Sequence, residues 1–257
     1  MTKTKKIISV NSLAAHKTAS LKAQMSILGS AVLPVPTVIL NGVGSYGNVH
    51  KQYTDLQPLL ESTIDLALVQ NQEIYLFIGY IGKVENISYL SDFVPKNKHL
   101  FKAIISDPIS GDNGKPYINP EIILYWPQLL SVSDLAFPNL TELQFFSGLY
   151  IENESTKEHL IAFANRFPNL DFIVTSYRQY YENEGVYLNF KETKQVIRHK
   201  FYDNKLDGAG DVFSSYFLKN YLFQELAPVV SCKKAISQTL KLIQNAVSND
   251  IDELIIL

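Results

Sequence analysis

Leu206-Asp207-Gly208-Ala209-Gly210-Asp211-Val212-Phe213-Ser214-Ser215-Tyr216-Phe217-Leu218 is the stretch that organises the chain. Two glycines and an aspartate directly precede apolar residues at helical spacing (Val212, Phe213, Tyr216, Phe217), which predicts that 208–211 forms the first turn of a buried helix. The free backbone N–H groups of a helix start, with no side chain at Gly208 or Gly210 to hold a ligand away, make an anion site. Asp211 adds a carboxylate that anion binding alone does not need. It makes sense if it takes a proton from a hydroxyl that attacks phosphorus. The plain alternative is a tight turn ahead of a helix.

The chain has 257 residues, 46% apolar and 19% charged, which suits a soluble protein with one α/β domain over 1–257. A net charge of −2 gives no basic surface, so neither nucleic acid nor membrane is an expected partner. Cys232 is the only cysteine, which excludes an intrachain disulfide and a cysteine-based zinc cluster and suits a reducing cytoplasm. The basic start, Met1 to Lys6, leads into a short strand rather than a secretory apolar core. No apolar run approaches the ~18 residues of a membrane span.

Outward from the organising stretch, strands alternate with helices. Strands are predicted at Lys6–Val10, Ala31–Leu40, Ile74–Ile78, Ala103–Ser106, Leu135–Phe137 and Phe172–Thr175, a pair at Gly185–Phe190 and Gln195–Phe201, and a closing strand at Leu254–Leu257. Pro34 and Pro36 mark the second strand as an edge or a bent segment. Helices are predicted at Thr18–Leu28, Asp55–Gln70, Val84–Val94, Pro120–Leu130, Leu140–Phe146 and Thr156–Phe167, with two more near the end; in Asp55–Gln70 the expected core face is Leu56, Leu59, Leu60, Ile64 and Leu68. The alternation implies a mostly parallel central sheet covered by helices on both faces.

In such a sheet, ligands gather beyond the carboxyl ends of the strands, and polar constellations fall at those ends here. Ser12 follows the first strand and either touches a small substrate or caps a turn. Asn41 to Asn48 is glycine-rich, either a ligand loop or a flexible connector. Tyr80, in Gly79-Tyr80-Ile81-Gly82, either stacks on a flat ring or packs within its loop. Asp107 ends a buried apolar strand, where ionisation needs a cation or donors; it organises Mg²⁺ and its waters, or caps a turn. Asp112-Asn113-Gly114 reads as a turn. Asn139 and Glu142 carry capping-box spacing, and could equally face phosphates and their metal. Thr175 and Ser176 place hydroxyls at another strand end.

The motifs D-P-x-x-G-D-N-G at Asp107–Gly114, P-N-x-x-E at Pro138–Glu142, T-S at Thr175-Ser176 and G-A-G-D at Gly208–Asp211 together resemble the ribokinase-like superfamily. Ser9–Ser12, Pro36-Thr37, Tyr46–His50 and Gly79–Gly82 are similar to its pyridoxal/pyridoxine/pyridoxamine kinase branch. The resemblance spans nearly the whole chain and implies a ribokinase-like three-layer fold. It implies that Asp211 is the catalytic base on a substrate hydroxymethyl group. Gly208, Ala209 and Gly210 would form the anion hole for the transferring γ-phosphoryl. Asp107, Asn139 and Glu142 would arrange Mg²⁺ and the phosphates of ATP, with Thr175 and Ser176 on the nucleotide side. Ser12 and Tyr80 would hold the pyridine ring. Relatives of this kind are commonly dimers, so a homodimer is expected, and K⁺ is a candidate further cation.

Two loops depart from the pattern. Leu13-Ala14-Ala15-His16-Lys17 stands where the branch usually carries a glycine-bearing loop, and Asn41-Gly42-Val43-Gly44 where it carries a hydroxyl-rich segment with a histidine. Phe137 also replaces a threonine often found before Pro-Asn. The phosphoryl-transfer half is intact, while the ring pocket is altered. The leading expectation is an ATP-dependent kinase making the 5′-phosphate of a B6 vitamer. Beside it stand a kinase of the same fold for hydroxymethylpyrimidine or another small alcohol or sugar, and a non-catalytic nucleotide-binding homologue.

Overall fold

A computed structural model describes residues 3–150, 155–178, 185–202 and 206–256. The chain forms two compact units, one from 1–73 with 200–257 and the other from 74–199.

In the first unit, β1 (Lys5–Ala14) pairs in parallel with β2 (Val32–Leu40), and β3 (Lys51–Tyr53) runs antiparallel on the far side of β2. Pro34 and Pro36 pair with β1, whereas β3 joins β2 only from Val38 to Leu40. The prolines thus lie where the strand has one neighbour and no missing donor is felt, as their sequence implied. Helix α1 (Ser20–Leu28) packs on β1 and on α7 (Ala209–Leu218), which packs on α8 (Pro228–Ser248); α2 (Leu56–Val69) lies on β2. The face of α2 differs from expectation. Leu56, Leu60, Ile64 and Ala67 are buried, while Leu59 and Leu68 are 36% and 43% exposed. The buried set follows the helical period closely, and the two leucines flank that stripe.

The expected closing strand is not formed at 254–256, and Leu257 lies outside the described residues. Leu254 instead plugs a cluster of Ala23, Ile27, Val212 and Ala246, where α1, α7 and α8 meet. With its side chain fully covered on three helices, the segment gains more from that contact than from adding an edge strand.

In the second unit, β4 (Glu73–Ile78), β5 (Ile104–Ser106), β8 (Leu135–Ala136) and β9 (Asp171–Tyr177) are parallel neighbours in that order. The antiparallel strands β10 (Gly185–Phe190) and β11 (Thr193–Arg198) extend the sheet beyond β9. Helices α3 (Val84–Lys96) and α4 (Pro120–Val132) pack together, as do α5 (Leu140–Ser147) and α6 (Thr156–Arg166). Between β5 and α4, β6 (Gly111–Asp112) and β7 (Lys115–Pro116) form a small hairpin. Its turn is Asn113-Gly114, both at positive φ (51° and 74°), the backbone that a two-residue hairpin loop demands.

Candidate functional site

Gly208 is the N-cap of α7, with φ at 82°. A Cβ there would stand 2.0 Å from the Thr18 carbonyl oxygen, so only glycine lets α7 begin against the turn that precedes α1. Gly210 is different: a Cβ would meet nothing within 4 Å. The space over the first turn of α7 is open, and the N–H groups of Ala209, Gly210 and Asp211 have no acceptor within the helix. Ala209 leans on the cluster around Val212, which fixes the turn from beneath.

Asp211 lies half-buried in that turn, and its Oδ1 is buried with no hydrogen-bond partner. Burial pushes its carboxyl up to about 6, opposed by the polar groups that face it, the Ser20 backbone N–H and the Asn11 side chain. Asn11 was not singled out from the sequence. It is fully buried in β1, where its Oδ1 accepts the Ser12 N–H at 2.9 Å, and its side chain favours the ionised form of Asp211. The available signal was an asparagine within an apolar strand, since a buried amide demands polar partners.

The strand runs further than expected, so Ser12 sits within β1 rather than beyond it, next to a register shift between Asn11 and Leu13. Ser12 is 5% exposed, and its hydroxyl donates to Ser20 Oγ at 2.9 Å. Ser12, Asn11, Ser20, Gly208, Gly210 and Asp211 therefore form one cluster at the start of α7. Ser45 Oγ donates to Asp207 Oδ2 at 2.6 Å, tying the glycine-rich loop to the residue before Gly208. That loop and the preceding turn enclose an open pocket of about 430 Å³ lined by His16, Asn41, Gly42, Tyr46 and Asn48. The His16 and Tyr46 rings meet edge-on at 6.4 Å.

In the second unit, Tyr80, Asp107, Asn139 and the Thr175-Ser176 pair follow or end the neighbouring parallel strands β4, β5, β8 and β9 at their carboxyl ends. Tyr80 is half-buried. Asp107 is 8% exposed, its N–H donating to Ile78 O at 2.8 Å. Asn139 caps α5: its Oδ1 accepts the Glu142 N–H at 3.0 Å, and its Nδ2 donates to Gly111 O at 2.8 Å. Glu142 is 2% exposed, and its two carboxylate oxygens accept the N–H groups of Ser110 (2.9 Å) and Asn139 (2.8 Å). The capping box is thus formed, and the same carboxylate ties the 110–111 backbone to α5. Burial pushes Glu142 up to about 8 against the pull of the Asn139, Ser110 and Gly111 N–H groups. Thr175 bridges to Asn139 and donates its N–H to Pro138 O at 3.0 Å. Ser176 has φ at 60°, within a register shift between β9 and β10 that turns it outward to solvent.

Among the described residues no three His, Cys, Asp or Glu side chains gather as a metal-binding set, and no helix is long and apolar enough to cross a membrane.

Residues 48–253 match the protein family described as phosphomethylpyrimidine kinase. The chain belongs to that family. Within this kinase family its curated relatives include a pyridoxal kinase of Dictyostelium discoideum, 25% identical over 90% of this chain and 83% of that one. A candidate pyridoxal kinase of Schizosaccharomyces pombe is 28% identical over 61% of this chain. The match spans about half the length of the S. pombe protein, 52%. The crystal structure of Entamoeba histolytica pyridoxal kinase superposes with a TM-score of 0.82 at 24% identity, covering 94% of this chain and 90% of that one. A candidate phosphomethylpyrimidine kinase of Bacteroides thetaiotaomicron gives 0.81 at 24%, covering 96% and 88%. The fold of this family member is the ribokinase-like α/β fold.

Proposed function

We propose that the protein is an ATP-dependent kinase that phosphorylates the hydroxymethyl group of pyridoxal, pyridoxine or pyridoxamine. The observation that carries this reading is the buried, unpartnered Oδ1 of Asp211 beside the open first turn of α7. A buried carboxylate oxygen without a donor is unfavourable unless it has a task. Asp211 accepts the proton of the attacking hydroxyl, while the N–H groups at Ala209, Gly210 and Asp211 stabilise the charge on the transferring phosphoryl. Ser12 and Tyr80 contact the substrate ring, and Asn139, Thr175 and Ser176 serve the nucleotide.

A magnesium ion fits the second unit in one way. Glu142 already spends both oxygens on backbone N–H groups, so it and Asp107 suit a metal held by water and nucleotide phosphates rather than one enclosed by protein. A cation beside the buried Glu142 would favour its ionised form, against the upward push of burial. When bound, Mg²⁺ neutralises charge on the phosphates. K⁺ dependence, a homodimer and a place in a reducing cytoplasm are proposed on the resemblance and the single, buried, free Cys232. Turnover in potassium against sodium buffer and sedimentation test the first two.

Phosphorylation of hydroxymethylpyrimidine is the second reading. It is favoured by the pocket to which His16, Asn41 and Gly42 contribute, residues of the two loops that depart from the pyridoxal kinase pattern. The deciding experiment measures ADP release with Mg²⁺-ATP and each of pyridoxal, pyridoxine, pyridoxamine and hydroxymethylpyrimidine against a blank. Turnover with the pyridines supports the leading reading, and turnover with the pyrimidine alone supports the second. Silence with all four, in a protein that binds ATP, refutes both in favour of a kinase for another small alcohol or sugar, or of a non-catalytic homologue.

A further inference from the structure

The 15–22 segment carries both contacts on which the start of α7 depends: the Thr18 carbonyl against Gly208, and the Ser20 N–H on Asp211. Its backbone is unfavourable by itself, because Lys17 and Ser20 both lie at positive φ, 72° and 49°. Such residues keep that conformation only when their surroundings impose it. Four polar contacts to the segment after α8 do so. Lys17, with its side chain 5% exposed, ion-pairs with Asp252 Oδ2 at 2.7 Å and also donates to the Asp252 carbonyl. The Thr18 hydroxyl donates to Glu253 Oε1 at 3.0 Å, and Lys22 Nζ meets the same oxygen at 3.1 Å. Leu254, fully buried among α1, α7 and α8, anchors the segment that bears these two acids. The Lys17 ammonium also lies 5.4 Å from the centre of the Tyr46 ring, one wall of the pocket.

We propose that Asp252 and Glu253 are positioning residues for the proposed phosphoryl-transfer site. Glu253 acts through Thr18 and Lys22 on the turn that seats Gly208 and offers the Ser20 N–H to Asp211. Asp252 acts through Lys17 on Tyr46 and so on the pocket. The two neighbours therefore have separate kinetic signatures, which a general loss of stability would not produce.

The inference rests on the kinase reading for its kinetic arm only. Glu253→Gln is expected to lower kcat roughly 3–10-fold with little change in the KM for the alcohol, because a small misplacement of the base and anion hole is felt in the transition state. Asp252→Asn is expected to raise that KM and spare kcat. The acid limb of kcat/KM moves to higher pH in Glu253→Gln, since a loosened Ser20 N–H no longer favours the Asp211 carboxylate; the Asn11 amide and the Ser20 N–H facing Asp211 do not themselves titrate. Glu225→Gln, which breaks the Lys5 pair of 2.7 Å, is the control and should change none of these. Independently of turnover, amide hydrogen exchange at 17–22 and 208–212 should quicken in Glu253→Gln and not in Glu225→Gln. Exchange and acid limb both at wild-type values in Glu253→Gln would overturn the proposal. A wild-type protein without kinase activity would instead sink the kinase reading, leaving exchange to decide the clamp.

Discussion

Asp211→Asn should inactivate the protein and stabilise it at the same time. Burial raises the Asp211 carboxyl from 3.8 to about 6, opposed by the Ser20 N–H and Asn11. The folded state therefore holds its proton more tightly than the unfolded state. Between those two values the native protein binds more protons, so stability falls as pH rises through the window, and the full penalty is present above about 6. At about 1.4 kcal/mol per unit, the penalty at neutral pH is on the order of 2–3 kcal/mol. Asparagine carries no charge and avoids it, but gives up the favourable interaction of a charge with the Ser20 N–H and the Asn11 side chain, a loss of about 1 kcal/mol. The expected net gain is about 1–2 kcal/mol at pH 7.5, roughly 2–4 °C in Tm for a chain of this size. The gain should vanish near pH 4, where the wild-type carboxyl is protonated too. In the ADP-release assay the same variant should lose ~10²–10⁴-fold in kcat with ATP binding kept. Wild-type turnover in Asp211→Asn would remove it as the base. A Tm lower than wild type by the same amount at pH 4 and pH 7.5 would refute the burial argument.

Other outcomes follow from the same geometry. Wild-type kcat/KM should fall below about pH 6 as Asp211 takes up a proton, and Asn11→Asp, which sets a second carboxylate against it, should move that limb upward; an unmoved limb would separate Asn11 from the base. Gly208→Ala puts a Cβ against the Thr18 carbonyl at positive φ and should cost about 2–5 kcal/mol in thermal unfolding. Gly210→Ala meets open space, so it should keep or slightly raise Tm while lowering kcat, and full activity there would place the phosphoryl elsewhere. Glu142→Gln faces one of the Ser110 and Asn139 N–H groups with a second donor, so Tm should drop by the equivalent of about 1–3 kcal/mol and the Mg²⁺ needed for half-activity should rise. A lower Tm with an unchanged Mg²⁺ titration would leave Glu142 a helix cap alone.

What the sequence determined by itself is what local chemistry encodes. The order of the parallel strands and the helices between them, the glycine start of α7, the capping box at Asn139–Glu142 and the Asn113-Gly114 turn each depend on residues within a few positions of one another. Short-range rules missed where the outcome is a competition between surfaces. Leu59 and Leu68 yielded the core to Ala67, Leu254 left a strand for a helical cluster, and Ser12 stayed within β1. Tertiary structure alone decided the surroundings of Asp211. Asn11, Ser20 and the acids at 252–253 converge on the start of α7 from distant parts of the chain, and no spacing rule encodes which buried donor meets which buried carboxylate. That choice is made when the helices close over β1, because a polar group removed from water must take whichever partner the packing brings to it.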